Sequence, residues 1–118
     1  MVLDTTAALA FARGSINVGE VLAEVDDEDA SFAVPIVCVI EAAARLGAGD
    51  AMVRVLVQRP ACVVTPLRRD DWPVLARDVR TLGRLDLAAV ALTAADTGAH
   101  ILTGEPDAYG DEAPVIPI

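Results

Sequence analysis

Apolar and polar positions alternate along this chain in blocks that switch period. Val2 and Leu3 form the end of a short apolar strand that stops at Asp4. Thr5 to Arg13 reads as a helix with Gly14 as its stop. In "NVGEVLAEV", Asn17 is followed three residues later by Glu20, a capping-box spacing, and Val18, Val21, Leu22 and Val25 supply one apolar face. "DDEDAS" is a solvated charged turn. "FAVPIVCVIEAAARLGAG" predicts a short strand, a proline and a helix ending at Gly47, and "AMVRVLV" predicts a further helix.

The second half repeats the alternation. "ACVVTP" is a continuous apolar strand closed by Thr65 and Pro66. Asp70 and Asp71 precede the helix "WPVLARDVRTL", with Pro73 in its first turn. Its apolar side is Val74, Leu75, Val79 and Leu82, and Arg77, Arg80 and Arg84 line the other. Asp86 opens the helix "LAAVALTAADTG", stopped by Gly98. "AHILT" is a strand, "GEPDAYGDE" a loop, and "APVIPI" a last edge strand interrupted by Pro117. Strands alternating with helices over 118 residues predict one domain, residues 1–118, built on a parallel sheet with helices on both faces.

Composition narrows the chemistry. More than half of the residues are apolar, mostly Ala, Val and Leu. No apolar run reaches the roughly 18 residues of a membrane span, and no signal-peptide pattern is present, so a cytoplasmic protein is expected. Cys38 and Cys62 lie far apart in apolar stretches and read as buried thiols. His100 lies in a strand and reads as core. The net charge is −9 and every basic residue is Arg, which excludes chemistry that needs a lysine. Such acidity opposes nucleic-acid binding by bulk charge, but not binding through cations held by the protein's own carboxylates.

Four acids fall where a parallel sheet places ligands, outside the carboxyl ends of its strands. Asp4 ends the first strand, and Glu41 interrupts an apolar helix. Asp86 heads a helix, and Glu105 follows "HILT" by two residues. Singly, Asp4 and Asp86 read as helix caps, Glu41 as a solvated side chain and Glu105 as a loop acid. Together they read as one site. Crowded carboxylates need a cation to stay ionised, and oxygen ligands without His or Cys select Mg²⁺ or Mn²⁺.

"VLDTTAAL", Glu41 within "VPIVCVIEAAARL", "DLAAVALTAADTGAHILT" and "TGEPDAY" together resemble PIN domains, in particular the small VapC-type ribonuclease toxins of type II toxin–antitoxin systems. The resemblance spans essentially the whole chain and implies a three-layer α/β/α sandwich with a parallel sheet of about five strands. It implies a metal-dependent endoribonuclease with Asp4, Glu41, Asp86 and Glu105 as metal ligands for Mg²⁺ or Mn²⁺, and Thr6 and Thr103 as polar positions that orient water or carboxylates. RNA substrate, a cognate antitoxin and homodimerisation are implied with it. Arg68, Arg69, Arg77, Arg80 and Arg84 are the basic concentration that would meet an RNA backbone, or else a solvated face paired with Asp70, Asp71 and Asp78. Trp72 and Tyr109 are the aromatics available for base stacking, with core packing the other reading of Trp72.

Two departures from the family pattern support the alternative of a catalytically degenerate PIN-like module that binds RNA or protein. The fourth acid is Glu105 where Asp is usual, and the Asp86–Thr103 spacing is one residue longer than the common pattern. An aspartyl-phosphate phosphatase is disfavoured, because Thr6 stands where such enzymes carry a second Asp.

Overall fold

The computed structural model describes all of residues 1–118. Its centre is a five-stranded sheet in the order β3-β2-β1-β4-β5, with every pairing parallel. The strands are β1 (Val2–Leu3), β2 (Phe32–Pro35), β3 (Cys62–Thr65), β4 (Ile101–Thr103) and β5 (Val115–Pro117). Six α-helices connect them: α1 (Thr5–Ala12), α2 (Ile16–Asp27), α3 (Ile36–Leu46), α4 (Ala51–Val57), α5 (Trp72–Leu82) and α6 (Leu85–Thr97).

Right-handed crossovers assign the layers. The chain moves from β1 outward to β3 through α1 to α4, then returns past β1 to β4 through α5 and α6 on the opposite face. The packing agrees: α1 lies against α2, α3 and α4, whereas α6 packs on α5 and across β1 and β2. The result is the expected α/β three-layer sandwich. Val2 and Leu3 are both fully buried, as a central parallel strand covered on two faces requires. They belong to one apolar cluster of 20 buried residues.

Helix ends follow local rules with one shift of register. Gly83 and Gly98 adopt left-handed φ values of 85° and 66° and stop α5 and α6. The start of α2 is Ser15, not Asn17: the Ser15 hydroxyl accepts from Val18 N at 3.3 Å, so the cap lies two residues before the expected one. Two residues beyond Gly83, Leu85 rather than Asp86 opens α6.

Several burial expectations are corrected. β3 is an edge strand whose Val63 and Val64 are exposed, because no layer beyond it exists to cover them. His100 lies just before β4 and is exposed, contributing only its carbonyl to Val2 N. Trp72 is 70% exposed at the start of α5 and is not core. Cys38 is buried, but Cys62, on the edge strand, is only half-buried. No helix is long and apolar enough to cross a membrane.

Candidate functional site

The strand order reverses direction between β1 and β4. The connection leaving β1 runs toward β2, and that leaving β4 runs toward β5, so a crevice opens at their carboxyl ends. Asp4 follows β1 directly, and Thr103 ends β4. Asp4 N donates to Leu102 O, which ties the two strand ends together.

Asp4 is 1% exposed, and both oxygens of its carboxylate accept hydrogen bonds. Oδ1 accepts from Ala7 N at 3.0 Å and from the Thr6 hydroxyl at 2.6 Å. Oδ2 accepts from the Tyr109 hydroxyl at 2.8 Å. A buried carboxylate is tolerable only with such partners. The bond from Ala7 N also makes Asp4 the N-cap of α1, so the cap reading holds alongside its place at the strand end. Thr6 is fixed in turn by Gly104 N, which donates to its hydroxyl at 2.7 Å, and the Thr103 hydroxyl lies 3.5 Å away. Thr103 Oγ1 accepts from Glu105 N, turning the chain after β4.

Asp86 lies in the first turn of α6 and is 5% exposed. Its Oδ2 accepts from the buried Thr5 hydroxyl at 2.8 Å. Arg84 grips it side-on, Nε to Oδ1 at 3.0 Å and Nη2 to Oδ2 at 2.9 Å. The same guanidinium reaches Glu105 end-on, Nη2 to Oε1 at 2.8 Å and Nη1 to Oε2 at 3.2 Å. Burial alone would raise the Asp86 pKa, but the Arg84 and Thr5 hydrogen bonds outweigh it and hold the carboxyl below its ordinary range. Arg84 is held more firmly protonated by the hydrogen bonds it donates to Asp86 and Glu105.

Cys38 and Tyr109 close the floor. The Cys38 thiol lies 3.9 Å from the Asp86 carbonyl, and burial, with the charges of Asp86 and Asp4, pushes its pKa up to about 12. Tyr109 is raised above the usual phenol range by burial first, then by the charge of Asp4. Both groups feel both carboxylates, and Thr5, which follows Asp4 in the chain, bonds Asp86 directly.

The site residues expected from the sequence therefore divide. Asp4, Thr6 and Thr103 come together, and Asp86 and Glu105 come together through Arg84. Glu41 is exposed on α3 and joins neither group. Tyr109, offered by the sequence as a stacking aromatic, is 8% exposed and serves Asp4 instead. Of the five arginines, Arg84 faces the acids and Arg77 pairs with Asp78, while Arg68, Arg69 and Arg80 stay exposed without ion pairs. A shallow groove of about 130 Å³ opens at the carboxyl ends of β2 and β3, with Arg68 on its wall.

The donor chemistry suits a hard divalent ion, since Asp4 after β1 and Asp86 in the first turn of α6 offer carboxylate oxygens, no imidazole is near, and the neighbouring Cys38 thiol is held protonated. The side chains as they stand form no cluster of three His, Cys, Asp or Glu able to hold one, and the cation touching the acids is Arg84. No protein-family model matches the chain, and no curated protein matches it.

Proposed function

We propose that this chain is a PIN-like, Mg²⁺- or Mn²⁺-dependent endoribonuclease, the toxin of a toxin–antitoxin pair. The observation that carries this reading is the convergence at one switch point of two buried carboxylates, Asp4 and Asp86, delivered by separate segments and each held by a neighbouring threonine. Such groups are costly to bury, and a cap alone needs neither the second acid nor the hydroxyl pair. The parallel sheet and its strand order support the same reading. The toxin role, the antitoxin, the second copy of the chain and the cytoplasmic setting follow from the sequence resemblance.

Asp4 and Asp86 would hold the ion, with Glu105 beside them through Arg84, whereas Glu41, which the resemblance also implies, lies exposed on α3 outside both groups. When bound, the ion supplies Lewis-acid charge to a phosphodiester. The chain's own groups prepare that place. Thr6, Ala7 N and Tyr109 fix both oxygens of Asp4, and Thr5 fixes Asp86. Arg68, Arg69 and Arg80 are the exposed cations that would steer the RNA backbone.

A second reading, the catalytically degenerate module, is favoured by one observation: Arg84 already bridges Asp86 and Glu105. Calorimetric Mn²⁺ titration of the wild type and Asp4→Asn, run beside cleavage of a structured RNA, separates the two. Metal binding with cleavage that the Asn variant loses supports the nuclease. RNA binding with neither metal binding nor cleavage supports the module and overturns the nuclease.

A further inference from the structure

We infer that Arg84 is a built-in, exchangeable counter-ion: its guanidinium and a divalent cation are alternative occupants of the Asp86 and Glu105 carboxylates, so metal binding must first release Arg84. This rests on the reading of the acids as a divalent-ion site.

Occupancy is the first ground. Three guanidinium nitrogens contact all four oxygens of the two carboxylates, at 2.8 to 3.2 Å. A bidentate fork of this kind is the strongest grip an organic cation has on a carboxylate. A divalent ion placed on the same oxygens would face a fixed positive charge at van der Waals distance, so the two exclude each other.

The second ground is freedom to leave. The Arg84 side chain is 38% exposed, and its partner Glu105 is 32% exposed. Arg84 is the extended residue before α6, preceded by Gly83 in the left-handed region, so no helix encloses its side chain. Water and a substrate phosphate can reach the guanidinium from outside, and two oxygens of a phosphate match its planar fork as a carboxylate does. Release therefore turns the group that shields the acids into one that binds the RNA backbone.

The test is Mn²⁺ titration of the full chain by calorimetry, comparing wild type, Arg84→Gln and Arg84→Lys. Losing the competitor should tighten Mn²⁺ binding at least tenfold in the Gln variant. The Lys variant should fall between, because one ammonium cannot fork two carboxylates. In wild type, Mg²⁺ should also shift the slowly exchanging Arg84 Nε–H resonance. Equal or weaker Mn²⁺ binding by Arg84→Gln, with the wild type binding, overturns the exchange while leaving the metal site standing. Absence of Mn²⁺ binding in every variant removes the metal site itself, and the exchange with it. Where circular dichroism shows Arg84→Gln unfolded, Arg84→Lys and the wild-type resonance decide by the same criteria.

Discussion

The Tyr109 hydroxyl donates to Asp4 Oδ2 at 2.8 Å, linking residues 105 positions apart and pinning the loop after β4 to the end of β1. Both groups are buried, so the bond forms away from water and its loss leaves a carboxylate oxygen unpaired. Tyr109→Phe keeps the ring and removes only the donor. It should cost about 1.5–3 kcal/mol, the range for hydrogen bonds to charged groups, measured by urea unfolding. A change near zero would mean that water replaces the hydroxyl at Asp4.

Gly104 is a position where an added carbon would meet a tight contact. A Cβ there would stand 3.3 Å from both Thr6 Cβ and Thr6 Oγ1, and 3.8 Å from Ile118 Cδ1. Thr6 cannot retreat without releasing Asp4 Oδ1 and the Gly104 amide. Gly104→Ala should therefore destabilise the fold by about 1–3 kcal/mol, as overpacking does. Gly49→Ala, whose added carbon meets nothing within 4 Å, is the control and should shift stability by less than about 0.5 kcal/mol.

The order of strands and helices could be read from hydrophobic period and glycine stops, because each is local. Asp4 and Asp86 were also readable, as acids at the start of helices that follow apolar strands or breaks. Arg84 was not. Its spacing from Arg77 and Arg80 assigns it to the exposed stripe of α5, but Gly83 ends that helix and turns Arg84 toward the acids. The signal was present in the glycine, and in the two-residue step from Arg84 to Asp86. Tyr109 was unreadable for a different reason: its partner is set by where β4 meets β1, a pairing that local pattern does not encode. Glu41 misled because apolar neighbours suggested burial, whereas Ile40 beside it is itself 58% exposed.

The thiol of Cys38 makes the fold sensitive to alkali. Its pKa is raised from 9.0 in the unfolded chain to about 12 when folded, burial being the main cause. A raised folded-state value contributes stability that is complete below the unfolded pKa and is lost as pH rises toward the folded one. Thermal unfolding temperatures should thus fall between about pH 9 and pH 12. Cys38→Ala should flatten that decline, and Tyr109→Phe should do so above pH 10, the ordinary phenol value. An identical alkaline slope in Cys38→Ala would show that the thiol does not carry it.

Asp86 acts at the opposite end of the pH scale. Burial opposes its charge, but the Arg84 fork and the Thr5 hydroxyl prevail, so its folded-state pKa is depressed. A depressed value contributes stability that is present above the unfolded pKa and is lost as pH falls through the folded one. With an unfolded Asp titrating near pH 3.9, the window lies from about pH 4 downward. Asp86→Asn keeps the shape but gives Arg84 Nε or Nη2 an amide nitrogen to face, so at pH 7 it should be less stable by about 1–3 kcal/mol. Measured in EDTA, the gap between wild type and variant should then narrow below pH 4. A gap that stays constant through the acid range would assign the cost to lost packing and not to the ionised carboxylate. In that case the Arg84–Asp86 pair would hold position without contributing charge-dependent stability.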